Sequence, residues 1–218
     1  MLRLENLNFR YENGARILYD VNLEFPDNGM IGITGPSGSG KSTLLYTIAG
    51  FKRQYWSGSV VFNKYNYQIL RDDDILKMRK KEFALIFQKP FLIPYLTILD
   101  NVLTSLNSYE QKDTALALME ELGIREYALK KPYALSGGQQ QRAAIARALI
   151  NSDAKLILAD EPTASLDLKS AICVMDMLKK LSNDLLIFVV THDTRLAHYF
   201  DRTLILTDGQ IQQSLGEE

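Results

Sequence analysis

The chain has 218 residues, 46% of them hydrophobic and 23% charged, with a formal net charge of −1 at pH 7. That length supports one domain with room for an inserted subdomain, and the composition is that of an ordinary globular protein. The near-neutral charge excludes the basic footprint that nucleic-acid binding demands. One cysteine, Cys173, excludes an internal disulfide, and its neighbours Ile172, Val174 and Met175 predict a buried, inert thiol. The apolar run over 185–190 is too short to span a bilayer, and the first five residues lack a signal-peptide layout. Work at a membrane would therefore go through a partner.

In chain order, Leu2 and Leu4 alternate with Arg3 and Glu5, and Tyr19, Val21, Leu23 and Phe25 alternate with Asp20, Asn22 and Glu24. Both patterns predict half-buried strands, with Asn13-Gly14 as a turn between them. A short buried strand over 30–34 runs directly into Gly35-Pro36-Ser37-Gly38-Ser39-Gly40-Lys41-Ser42-Thr43. Glycines there let successive N–H groups point inward around phosphate oxygens, and the following helix N-terminus adds partial positive charge. Lys41 can reach the β and γ phosphates, and the Ser42 hydroxyl can ligate magnesium. Residues 43–49 read as that helix, closed by Gly50.

Farther on, Asp72-Asp73-Asp74 ahead of Lys77, Arg79, Lys80 and Lys81 suits the dipole of a solvated helix. An apolar strand follows over 83–87. The stretch 99–149 is mostly helix-like, with Leu116, Met119 and Leu122 at helical spacing. Strands return over 155–159, 185–191 and 203–207, and Asp208-Gly209 turns the chain into Ile211. This order predicts an α/β core whose chain detours through a helical subdomain.

The strand over 155–159 ends in Asp160-Glu161-Pro162. Carboxylates at the C-terminal end of a strand face the crevice where ligands bind in parallel sheets. Joined to the cradle, Asp160 is placed to hold magnesium through its waters, and Glu161 to orient or deprotonate an attacking water. His192 follows the next strand and would donate to the γ-phosphate or hold that water, while His198 reads as structural.

Leu135-Ser136-Gly137-Gly138-Gln139-Gln140-Gln141-Arg142 resembles the signature sequence of ATP-binding cassette (ABC) ATPases, and the resemblance extends over essentially the whole chain. Tyr11 looks like the family's adenine-stacking aromatic, Gln88 like the Q-loop glutamine, Ser165-Leu166-Asp167 like the D-loop, and His192 like the switch histidine. The resemblance implies a P-loop NTPase (RecA-like) α/β core with an N-terminal antiparallel β subdomain and an inserted α-helical subdomain. Residues 1–87 and 151–218 would form the core and β subdomain, and 88–150 the helical subdomain with the signature. It further implies ATP and magnesium, with Gln88 joining Ser42 and Asp160 at the metal and Lys41, Gln88, Glu161 and His192 as catalytic groups. Ser136, Gly137, Gly138, Gln139 and Asp167 would complete the site of a second chain, in a homodimer or a pairing with a related ATPase subunit.

Integral membrane permease subunits are the further partners implied, at the cytoplasmic face of the cell membrane. Phe91, Leu92, Ile93, Pro94 and Tyr95 are either local core or a groove for a helix of such a subunit. The phrasing of residues 35 to 43, of Gln139-Gln140-Gln141-Arg142 and of Ala159-Asp160-Glu161-Pro162-Thr163 looks closest to one subgroup. That subgroup includes lipoprotein-releasing, macrolide- or peptide-exporting and cell-division ATPases. The implied function is the ATP-hydrolysing subunit of an export-type or lipoprotein- or peptide-handling transporter; the alternative is a non-transporting regulatory coupler.

Overall fold

The computed structural model describes residues 1–12, 14–106 and 111–215. Among the described residues the strands are β1 (Leu2–Arg10), β2 (Arg16–Phe25), β3 (Gly29–Thr34), β4 (Trp56–Phe62) and β5 (Tyr65–Asn66). They continue with β6 (Phe83–Ile86), β7 (Leu156–Asp160), β8 (Leu186–Val190), β9 (Arg202–Thr207) and β10 (Gln210–Leu215). Six α-helices accompany them among the described residues: α1 (Lys41–Ile48), α2 (Asp72–Glu82), α3 (Ile98–Leu103), α4 (Lys112–Glu121), α5 (Gly137–Leu149) and α6 (Leu168–Leu181).

β2-β1-β4-β5 form an antiparallel sheet, and β10-β9-β3-β8-β7-β6 form a second sheet whose members are parallel except for the edge strand β10. In β1, Leu2, Leu4, Leu7 and Phe9 are buried while Arg3 and Glu5 face out. The phase slips between Leu4 and Leu7, where Asn6 takes φ 48° in a bulge. Asn13, half of the predicted turn, lies outside the described residues. Beside it Gly14 has φ 81°, and the loop closes through the Tyr11 N–H to the Ala15 carbonyl at 3.0 Å. Strand β4 has no counterpart in the sequence reading, because Ser57, Gly58 and Ser59 blunt its alternation.

The parallel strands read as unbroken apolar runs because both faces are covered. Ile187 and Val189 of β8, with Ile157 and Ala159 of β7, join one core with α3, α4, α5 and α6 residues such as Val102, Met119, Ile145 and Met175. Leu186, Phe188 and Val190, with Leu156 and Leu158, join a second core with α1, α2 and the antiparallel sheet. Leu44, Leu45 and Ile48 bury α1 against that face, each worth about 1.5–3 kcal/mol. Gly50, at φ 73°, then ends the helix with its N–H on the Thr47 carbonyl.

Cys173 is exposed rather than buried. Helix α6 buries Ala171, Val174, Met175 and Leu178, an i, i+3, i+4, i+7 stripe, and Cys173 falls beside it with Ile172. In the string after Gln88, Phe91 and Tyr95 are exposed, while Leu92 is half-buried against the helical core. Among the described residues no helix is long and apolar enough to cross a membrane.

Candidate active site

The C-terminal ends of four adjacent parallel strands lie along one edge: β3 runs into Gly35, β8 toward His192, β7 into Glu161, and β6 toward Gln88. Backbone bonds carry the register past the strand ends. Thr191 N–H reaches the Ile33 carbonyl at 3.2 Å, and Glu161 N–H reaches that of Val190 at 2.9 Å.

The cradle is shaped by close backbone approach. Gly35 has φ 140°, and any β-carbon there would overlap the carbonyl oxygen of Leu206 on β9. Gly40, at φ 103°, starts α1. The Lys41 ammonium folds back to donate to the carbonyls of Gly35 at 2.9 Å and Pro36 at 2.7 Å. Pro36, Ser37 and Gly38 are exposed, and the Ser39 hydroxyl is buried with no protein partner, an orphan that a phosphate oxygen would pair. One hollow borders the loop and a second lies at Tyr11. The first, of about 310 Å³, is lined by Ile17 and by Pro36, Ser37, Gly38 and Ser39; the other, of about 790 Å³, by Tyr11, Glu12 and Tyr55. Arg16 lines both. Tyr11 stands edge-on to Phe9 with centroids 4.9 Å apart, and the Lys52 ammonium lies 5.0 Å from its ring.

Asp160 is 3% exposed, and α1 holds both of its oxygens. Ser42 Oγ donates to Oδ1 at 3.0 Å and the Tyr46 hydroxyl to Oδ2 at 2.7 Å. Burial, then the bond to Asp160 and its charge, push the Tyr46 phenol above the ordinary tyrosine range. Glu161, the next residue, has φ 50°, and its Oε1 lies 2.8 Å from His192 Nδ1. Magnesium binds through one or two carboxylates and keeps phosphate oxygens and waters for the rest of its shell. A buried carboxylate beside a serine hydroxyl and a phosphate cradle fits that habit. Among the described residues no three His, Cys, Asp or Glu side chains converge as a richer metal cage would need.

Two α5 side chains, Gln141 of the signature run, given no role of its own from the sequence, and Arg147, hold the segment around Gln88. Gln141 Nε2 donates to the Phe87 carbonyl at 3.1 Å, and the Arg147 guanidinium donates to the carbonyls of Pro90 and Phe91, both at 2.7 Å. Gln88 itself is exposed. Tyr46 was also missed, although it lies four residues after Ser42 and so shares its helix face.

Ser136, Gly137, Gly138 and Gln139 occupy the N-terminus of α5. Ser136 Oγ accepts from the Gln139 N–H at 3.3 Å while Gln139 Oε1 accepts from the Ser136 N–H at 2.8 Å, a reciprocal cap. A β-carbon on Gly138 would lie 2.9 Å from the Ser165 carbonyl, so this turn abuts the segment leading to Asp167. Asp167 caps α6 through the Ser170 N–H at 3.0 Å and hydroxyl at 2.8 Å, and those bonds hold its carboxyl below the usual range.

The family description "ABC transporter" matches residues 18–164. An uncharacterized ABC transporter ATP-binding protein of Methanocaldococcus jannaschii, MJ0796, is 39% identical, the alignment covering 98% of this chain and 96% of the relative. A solved structure described as the dimeric post-hydrolysis state of the MJ0796 cassette bound to ADP and Pi superposes with a TM-score of 0.92 at 35% identity, covering 100% of both chains. HrtA of Staphylococcus epidermidis, named for hemin import, is 40% identical over 92% of both chains. The macrolide export ATP-binding/permease protein MacB of Pasteurella multocida is 36% identical over 97% of this chain, which spans 34% of MacB.

Proposed function

Because the chain belongs to the ABC transporter family and is an ATP-hydrolysing cassette, we propose that it powers membrane subunits as an ATP-sandwich dimer, in export or in lipoprotein or peptide handling. The observation that carries this reading is the grouping of Lys41, the Ser42–Asp160 pair and the Glu161–His192 pair along one strand edge, while the signature residues sit on a different element, the N-terminus of α5. A chain built so holds half of a site, and Ser136, Gly137, Gly138, Gln139 and Asp167 serve the half on a second chain. Tyr11 receives the base, and residues 35–43 receive the phosphates.

In the hydrolytic step Lys41 leaves the loop carbonyls for the β and γ phosphates. Ser42 and Asp160, with Gln88 beside them, would hold magnesium, which neutralises phosphate charge when bound with ATP. Glu161 orients the attacking water and takes its proton, while the histidine at 2.8 Å fixes the carboxylate and faces the γ-phosphate side. Residues 1–87 and 151–218 act as the nucleotide-holding body. Residues 88–150 act as the moving one, linked to it through the Gln141 bond to the Phe87 carbonyl. The alignment with MacB along nearly the whole chain supports export, against HrtA, which is named for import and is 40% identical.

The test is an affinity-tagged Glu161→Gln protein pulled with ATP and magnesium from gently solubilised native membranes. A co-purifying polytopic subunit of exporter or lipoprotein-handling type is expected. Recovery of an importer-type permease would replace the export reading, and recovery of no membrane subunit would remove the transporter reading.

A further inference from the structure

The Tyr46 hydroxyl belongs to no motif, yet it and Ser42, one helical turn apart, grip the two oxygens of Asp160 at 2.7 and 3.0 Å. Its half-buried ring lies edge-on to Phe51, with centroids 6.2 Å apart at 89°, and tilted against Phe87 at 6.1 Å. Phe87 directly precedes Gln88, gives its carbonyl to Gln141, and meets the Phe91 ring at 5.7 Å.

We propose that Tyr46 is a positioning residue for magnesium: its hydroxyl fixes the rotation of the Asp160 carboxylate, and its ring ties that carboxylate to the segment bearing Gln88. The inference rests on the reading of Asp160 as the magnesium-side carboxylate. An aspartate χ2 is a broad, soft torsion, so a carboxylate bonded at one oxygen can turn, while one bonded at both is set. With Oδ2 occupied, Oδ1 stays beside the Ser42 hydroxyl on the cradle side. Outer-shell donors of this kind are worth roughly 10–100-fold in metal affinity. The ring contact adds a mechanical link, because displacement of Phe87 presses on the group that orients Asp160.

The experiment measures binding of a fluorescent ATP analogue to the Glu161→Gln protein, in EDTA and across a magnesium titration. Tyr46→Phe, which keeps the ring, is expected to raise the half-saturating magnesium concentration about 10-fold or more. Affinity in EDTA is expected to stay unchanged. Phe51→Leu, which alters the packing and leaves the hydroxyl, is expected to titrate like the parent. A magnesium-dependent parent matched by Tyr46→Phe would overturn this inference alone, as would an equal shift in Phe51→Leu. A Tyr46→Phe protein that does not fold would also overturn it, since the hydroxyl would then be a pillar of the core. Magnesium-independent binding by the parent would overturn the reading of Asp160 as well.

Discussion

Glu161 sits at φ 50°, a region where a β-carbon costs about 1–2 kcal/mol, and it is held there by strand pairing behind it and His192 in front. Glycine and alanine should therefore reverse their usual order at this position. We expect Glu161→Gly to be about 1 kcal/mol more stable than Glu161→Ala in urea unfolding, with both variants inactive; a less stable glycine variant would refute the strain. Glu161→Gln should bind ATP and hydrolyse it roughly 10² to 10⁴ times more slowly, the usual worth of a general base. Lys41→Ala should abolish phosphate release in a coupled assay, and full turnover would remove it from the cradle. The sequence made these positions legible because Glu161 follows an apolar strand with a charge that a core would not accept, and Lys41 closes a glycine-rich loop at a helix start. It did not make Tyr46 legible, because a tyrosine among Leu44, Leu45 and Ile48 reads as one more core residue until its hydroxyl is seen to have a carboxylate partner.

Among the elements, strands buried on both faces and helices with clear charge or end signals could be read directly. β3, β7 and β8 were found as apolar runs, α2 by its charge gradient, and the end of α1 by Gly50. Strand β4 was lost to its serines and glycine, and Cys173 was misjudged because neighbours in sequence are not neighbours on a helix. The entry of β3 depends on a carboxylate from elsewhere: Asp201 Oδ2 accepts from the Met30 N–H at 2.7 Å and Oδ1 from Lys179 at 2.5 Å. Burial works to raise this carboxyl, but Lys179 and the Met30 N–H outweigh it and hold it below its ordinary 3.8. A depressed carboxyl stabilises the fold above its unfolded value and loses that contribution as pH falls through the folded one. Asp201→Asn should cost about 0.5–1 kcal/mol at pH 7, a modest figure because Lys179 and Asp201 are half exposed. The gap from wild type should close as pH falls from 3.8 through the lowered folded value; a constant gap would assign the effect to packing.

At the scale of the molecule, the order of strands and helices announced an α/β core with a helical detour, and the family resemblance added an antiparallel β subdomain, whereas the way one strand's alternate residues feed two separate cores shows only in the structure. The proposed sandwich predicts that Glu161→Gln doubles its mass by light scattering when ATP and magnesium are added. Ser136→Arg should block that doubling while leaving the affinity of the single chain for ATP nearly intact. Because Ser136 also caps α5, an effect of this variant on thermal stability of about 1 kcal/mol is expected even without nucleotide. An equal loss of ATP affinity would place the signature turn in its own chain's site.

The carbonyl of Leu206, pressed against Gly35, gives the C-terminal hairpin a share in a loop that precedes it by more than a hundred residues. A polypeptide cut just after His192 would retain every residue assigned a chemical role and still lack the wall that shapes its first glycine. During synthesis, then, we expect the nucleotide pocket to be completed only after β9 has left the ribosome. A separately expressed fragment carrying β9 and β10 should restore ATP binding to such a truncated chain, which makes the hairpin a natural split point for a reporter of assembly.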